Sequence, residues 1–112
     1  MIILKPKYIK SLYLGYMNIY PFDKYELPTN VIFKIIDDPI NYALFYPKPL
    51  KICISKTLCT NFGLVKEALL HEMCHLVIYY NLRHKNYDEH NKSFYRLVYK
   101  VAKVYGLDNK KI

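Results

Sequence analysis

The chain has 112 residues, of which 53% are hydrophobic and 16% aromatic, and its formal net charge is +8. This length excludes two domains with ordinary cores, and the apolar content excludes a disordered chain, so we expect residues 1–112 to form a single domain. The positive charge would attract polyanions such as nucleic acid, but it says nothing about the fold.

The first half of the chain changes from a helical to a strand-like pattern. Between Pro6 and Pro21, apolar and aromatic side chains recur at spacings of three and four, which predicts an amphipathic helix. Three short β-branched and aromatic runs follow, and proline-containing turns separate them. They predict a three-stranded antiparallel meander over residues 31–36, 42–46 and 51–55.

The second half has two further helical patterns. An apolar stripe of helical period runs from Val65 to about Leu82, and a polar stretch follows it. A second amphipathic pattern then continues to Gly106, a common helix stop, and Asn91 is its candidate N-cap. The order helix, three strands, helix, helix indicates an α+β fold.

Cysteine usage and the N-terminus bear on where the protein resides. The three cysteines form an odd set without a paired C-x-x-C spacing, which favours free thiols in a reducing compartment. Lysines interrupt the apolar N-terminal residues, and no apolar run approaches the roughly 20 residues that span a bilayer. We therefore expect an intracellular monomer, cytoplasmic or nuclear, with no membrane partner.

The second helix contains a metal-binding motif. His71, Glu72 and His75 have the H-E-x-x-H spacing, and positions i and i+4 of a helix project from one face. Two imidazoles can thus bind one zinc ion, while Glu72 can accept a proton from a water molecule beside it. The alternative is an exposed helix edge with two ordinary histidines and a solvated glutamate.

A catalytic zinc site needs a third protein ligand, and the downstream candidates are His84, Asp88, Glu89 and His90. His84 would need a tight reversal of the chain to reach the metal. His90 follows a longer loop and directly precedes the last helix, so its position favours it. The other three are otherwise solvated loop residues, although a carboxylate such as Asp88 can orient a ligand histidine.

Three segments together resemble a known domain: residues 52–55, residues 65–76 with the H-E-x-x-H motif, and residues 90–94. They are similar to the SprT-like metalloprotease domain, the module of the Spartan proteases that cleave proteins crosslinked to DNA. The resemblance implies a compact zincin with His71, His75 and His90 as zinc ligands and Glu72 as general base. The family usually has glycine where Asn91 stands, and asparagine is the residue that best tolerates glycine-like backbone angles. We expect a minimal version without the C-terminal zinc ribbon of many members.

The leading functional hypothesis is therefore a zinc metallopeptidase that acts on a protein or peptide substrate, with DNA-associated proteins among the candidates. The alternatives are a nucleic-acid-binding module with a structural zinc site, and a related peptidase for one specific regulator. An extended substrate can pair with an exposed sheet edge. Candidate donors for the negative charge on the substrate carbonyl oxygen are Tyr79, Arg83, His84 and Tyr87.

Basic residues recur along one side of the last helix: Lys92, Arg96, Lys100 and Lys103. This side lies opposite the predicted apolar face, so the four cations form a stripe. Such a stripe can bind nucleic-acid phosphates, and the alternative is an ordinary solvated helix face.

Overall fold

The chain folds into three helices and one three-stranded sheet in a computed structural model that describes residues 3–82, 90 and 92–107. The predicted α+β class and the order of its elements are confirmed. The elements are α1 (Pro6–Tyr16), a 3-10 turn (Phe22–Lys24), β1 (Ile32–Ile36), β2 (Ala43–Pro47), β3 (Leu50–Ser55), α2 (Phe62–Leu82) and α3 (Lys92–Tyr105). The predicted N-cap, Asn91, lies outside the described residues.

The sheet is mixed, with the strand order β1-β3-β2. β2 and β3 form the expected antiparallel hairpin, but β1 pairs with β3 in parallel, with Phe33 opposite Ile52. The three predicted strands are thus present, while one of their pairings differs from an antiparallel meander. The reason lies in β3, whose residues 52–55 are all buried. A continuously buried strand is best placed between two others.

The connection from β1 to β2 crosses the end of β3 and is held there by hydrogen bonds. The buried Ser55 hydroxyl donates to the Asp38 carbonyl oxygen at 2.6 Å and accepts from the Leu58 amide at 3.2 Å. The Asp38 carboxylate accepts from the amides of Ile40 and Asn41 at 2.8 and 2.9 Å. The Asn41 amide and then the Ile40 amide hold the pKa of this carboxyl below its usual range. These bonds fix residues 40–42 at the start of β2.

Helix α2 lies at the centre of the fold and packs against β2, β3 and α3, while α1 packs against β1. Its residues Leu69, Met73 and Leu76 are fully buried. Tyr13 of α1 is also buried, and its hydroxyl donates to the Pro28 carbonyl oxygen at 2.5 Å. None of the helices in the described part of the chain combines the length and apolarity needed to cross a bilayer.

Two helix ends differ from the predicted ones, and a side-chain hydrogen bond explains one of them. α2 begins three residues before Val65, because the Asn61 side chain accepts a hydrogen bond from the Leu64 amide at 2.9 Å. α1 ends at Tyr16, before Pro21 is reached. Tyr20, predicted on the apolar helix face, is therefore outside the helix and 45% exposed.

Candidate metal centre

Helix α2 and His90, two residues before α3, bring three histidines together. His71 and His75 lie one turn apart on α2, and their Nε2 atoms are 3.1 Å from each other. The ring of His90 lies 5.1 Å from that of His71 and 5.4 Å from that of His75, measured between centroids. One ligand nitrogen from each histidine lies within 4.8 Å of the other two.

This donor set fits a zinc ion. Two nitrogens bound to tetrahedral zinc at 2.0–2.1 Å are about 3.3 Å apart, close to the separation between His71 and His75. The ligand nitrogens of the three histidines are at most 4.8 Å apart, which exceeds the separation in a tetrahedral zinc site by about 1.5 Å. Small rotations of the rings can remove this difference. Three neutral imidazoles also leave a fourth position open, as in catalytic zinc sites. The three histidines can therefore hold a metal ion.

Phe94 of α3 supports these three rings from the protein interior. Its ring stacks on His75 at 4.4 Å and on His90 at 4.6 Å, with interplanar angles of 21° and 7°, and meets His71 edge-on at 5.1 Å. Phe94 is buried, so it belongs to the core and to the site at once. Sequence reasoning assigned it only to the core. No local signal in the sequence distinguishes Phe94 from the other core residues of this helix.

Glu72 is buried beside the histidine pair. Its Oε2 lies 3.9 Å from Nε2 of His71, and the residue is only 6% exposed. Burial raises the pKa of this carboxyl to about 8, because the low-dielectric surroundings penalise the ionised form. The helix thus places a carboxyl group next to the histidines, with its proton affinity well above that of a solvated glutamate.

The family assignment agrees with this geometry. A family model described as the SprT-like family matches residues 33–111, which span the sheet, all three histidines and Glu72. The chain belongs to the SprT-like family. The resemblance seen in the sequence is thereby confirmed, and no curated protein and no solved structure matches the chain.

A cleft of about 610 Å³ opens next to Glu72 in this SprT-like domain. Residues 40–43 form one wall, and the side of α2 that carries Glu67 and His71 forms the other. The sheet edge next to the cleft belongs to β2, one of the two outer strands in the order β1-β3-β2. The sequence indicated an exposed sheet edge but did not identify residues 40–43, whose position depends on the hydrogen bonds of Asp38 and Ser55.

The structure also locates some of the other predicted site residues. Tyr79 lies one turn after His75 on α2, and its ring packs edge-on against Phe45 of β2 at 6.0 Å. Five further candidates lie outside the described residues: Arg83, His84, Tyr87, Asp88 and Glu89. The cations of the basic stripe are all exposed on α3, on the side opposite its buried residues: Lys92, Arg96, Lys100 and Lys103.

Proposed function

We propose that this SprT-like chain is a zinc metallopeptidase that hydrolyses peptide bonds. The observation that carries the proposal is the convergence of His71, His75 and His90 within 4.8 Å, with a carboxylate oxygen of Glu72 3.9 Å from one of them. Within the part of the chain that the structure describes, these histidines are the only such ligand group. A closed structural site would use four protein ligands and has no need of an adjacent base.

Each residue of the group has a distinct part in hydrolysis. The three imidazoles donate nitrogen lone pairs to the ion and remain neutral. When bound, zinc supplies a Lewis acid that polarises the substrate carbonyl and lowers the pKa of water to about 7. The positive charge of a bound ion would favour the ionised form of Glu72. The carboxylate then accepts one proton as the water oxygen bonds to the carbonyl carbon, and it delivers that proton to the amine nitrogen as the C–N bond breaks. Phe94 holds His75 and His90 in place.

The substrate in this proposal is an extended peptide segment in the cleft beside Glu72. Residues 40–43 and the β2 edge offer backbone groups, and pairing with backbone is largely independent of the substrate side chains. We therefore expect loose sequence preference. Tyr79 is the candidate donor for the substrate carbonyl oxygen that lies within the described residues, with Arg83, His84 and Tyr87 as the other candidates.

The test measures zinc content and cleavage of an unfolded protein, such as casein, by the zinc-loaded full chain. Glu72→Gln should keep fold and zinc and lose cleavage roughly 100-fold or more, because it removes the proton acceptor. His90→Ala should lose tight zinc binding, whereas His84→Ala should retain it. Glu26→Gln, a change of the same charge at an exposed position, should leave zinc content and cleavage unaltered.

Two results would overturn this assignment. Undiminished cleavage by Glu72→Gln would show that this carboxyl is not the base. Tight stoichiometric zinc in His90→Ala would show that the third ligand lies elsewhere. A wild-type chain that holds zinc yet cleaves no protein would instead support the nucleic-acid-binding alternative with structural zinc.

A further inference from the structure

The cleft beside the metal centre has an apolar surface on each of its two walls. One wall carries Ile40 and Tyr42, and the other carries Leu64 and Ala68 of α2. Ile40 is 81% exposed and Tyr42 is 50% exposed. The Asp38 carboxylate accepts a hydrogen bond from the Ile40 amide at 2.8 Å and holds its backbone in place. Apolar side chains that are held in place and left uncovered are typical of ligand-binding grooves.

The space between these walls suits a side chain of a bound peptide. Ala43 and Ala68 are the small residues of the lining, so they leave room between the walls. The cleft volume of about 610 Å³ lies within the range of ligand pockets. Leu64 is also fixed, because its amide donates to the Asn61 side chain at 2.9 Å. Both walls are thus in position before a ligand binds.

The pocket between the walls adjoins the groups proposed to cleave peptide bonds. Ala68 lies three residues before His71 on α2, and this spacing makes the two side chains neighbours on the helix surface. Their Cβ atoms are therefore about 6 Å apart, while an extended peptide advances about 3.4 Å per residue. A substrate side chain in the pocket thus belongs to a residue within two positions of the bond at the metal centre.

Charge in the cleft also bears on which side chain fits. Glu67 lies on the α2 wall, one turn before His71, and its negative charge would repel an acidic side chain. The opposite wall, residues 40–43, contains no charged residue. A basic side chain would meet one carboxylate and otherwise lie against apolar groups, at the cost of part of its hydration. An apolar side chain is the one that suits both walls.

We propose that this pocket binds one large apolar side chain of the substrate, such as leucine, methionine or phenylalanine, next to the bond that is cleaved. This role rests on the proposed peptidase function and narrows its substrates to peptides with such a residue. Ile40 is the specificity-determining residue, because the bound side chain would cover its exposed surface, and burial of apolar surface favours binding. Backbone pairing at β2 stays independent of side chains, so the preference is confined to one substrate position.

The first measurement is peptide binding by fluorescence anisotropy, with the zinc-loaded Glu72→Gln variant so that no peptide is cleaved. Labelled peptides of about ten residues, sufficient to span the cleft, consist of glycine, serine and threonine with leucine, alanine or aspartate at the centre. The leucine peptide should bind roughly 10-fold or more tightly than the alanine peptide, because a shorter side chain fills less of an apolar pocket. The aspartate peptide should bind most weakly.

Substitutions of Ile40 test whether this wall selects the side chain. Added to Glu72→Gln, Ile40→Ala should weaken binding of the leucine peptide about 3- to 30-fold and leave the alanine peptide nearly unchanged. Ile40→Val keeps most of the apolar surface and should retain most of the preference. Ile3→Ala is the matched control, since Ile3 is also 81% exposed but lies outside the cleft lining, and it should change neither affinity. Circular dichroism verifies that every variant is folded.

The second measurement distinguishes this pocket from the proposed peptidase function. The zinc-loaded wild type digests casein, and mass spectrometry of the products maps the cut sites. Large apolar residues should be enriched at one position within two residues of the cuts, and Ile40→Ala should lower that enrichment by about 3-fold or more. If the wild type cleaves nothing while Glu72→Gln still prefers the leucine peptide, the peptidase function is refuted and the pocket is supported.

Three outcomes would overturn the proposal. Equal affinities for the three peptides, or no binding of any of them, would show that the pocket selects no apolar side chain. Equal effects of Ile40→Ala and Ile3→Ala would show that Ile40 does not determine the preference. Enrichment of lysine or arginine at the cuts that is lost in Glu67→Gln would show that this carboxylate, and not the apolar walls, selects the substrate.

Discussion

Replacing Phe94 by leucine should weaken zinc binding much more than it weakens the fold. The Phe94 ring stacks on His75 and His90 at 4.4 and 4.6 Å, and each such pair contributes roughly 0.5 to 1.5 kcal/mol. Without both pairs the histidine rings are no longer held in place, and ordering them on zinc binding costs roughly 1 to 3 kcal/mol, which corresponds to about a 5- to 150-fold increase in the zinc Kd. Residues that orient metal ligands usually have effects of this size. Leucine fills most of the same volume, so the unfolding free energy should fall by less than about 1.5 kcal/mol.

The assay is competition for zinc with a chromophoric chelator at neutral pH, paired with urea unfolding of the metal-free protein. Val101→Ala is the control, since Val101 is fully buried on α3 two turns further along. It should lower the unfolding free energy by about 1 to 2.5 kcal/mol and leave the zinc Kd unchanged. The reasoning is refuted if Phe94→Leu binds zinc as tightly as the wild type, or if Val101→Ala weakens zinc binding equally.

Two further predictions concern the support of the cleft and the thiols. Ser55→Ala leaves the Asp38 carbonyl and the Leu58 amide without this partner, so unfolding measurements should show a loss of about 1 to 3 kcal/mol. Ser11→Ala, on the exposed side of α1, should change stability by less than about 0.5 kcal/mol, and an equal effect would contradict the argument. All three cysteines are buried, and burial raises the pKa of Cys59 to about 11, so a disulfide reagent should label them at neutral pH only after denaturant is added. Rapid labelling of the native protein would count against this description.

The helices could be predicted well because their signals are local. Four residues of α3, at positions 94, 97, 98 and 101, follow the helical period, and all four are buried. The start of α2 was placed three residues late, because its apolar stripe begins at Val65 while its cap, Asn61, is a polar residue outside that stripe. Periodicity therefore located the buried face better than it located the helix ends.

The strand pairing could not be predicted from the same signals. The sequence places each strand end to within one residue, but the choice of neighbours depends on contacts between segments that are distant in sequence. β3 lies in the centre because it is buried along most of its length, which leaves β1 parallel to it. The continuous apolar character of residues 52–54 was visible in the sequence, and it distinguishes a central strand from an edge strand.

In the candidate metal centre, the sequence predicts His71 and His75 as ligands from their motif and His90 from its position. The structure brings these three side chains together. The role of Phe94 in supporting the histidines could not be predicted, because nothing local distinguishes it from an ordinary core residue. Residues 40–43 form a wall of the cleft only because the β1–β2 connection crosses the end of β3, and no sequence motif predicts this position.

The three histidines lie where α2 and the start of α3 meet, and this position affects the stability of the folded protein. Two of the ligand residues belong to α2 and the third lies just before α3, so one bound ion would crosslink these two parts of the chain. The free energy of zinc binding would then add to the free energy of unfolding, by about 4 kcal/mol when the free zinc concentration is a thousandfold above the Kd. The concentration of free zinc would therefore determine the resistance of the protein to heat and to degradation by other proteases, independently of any peptidase activity of its own.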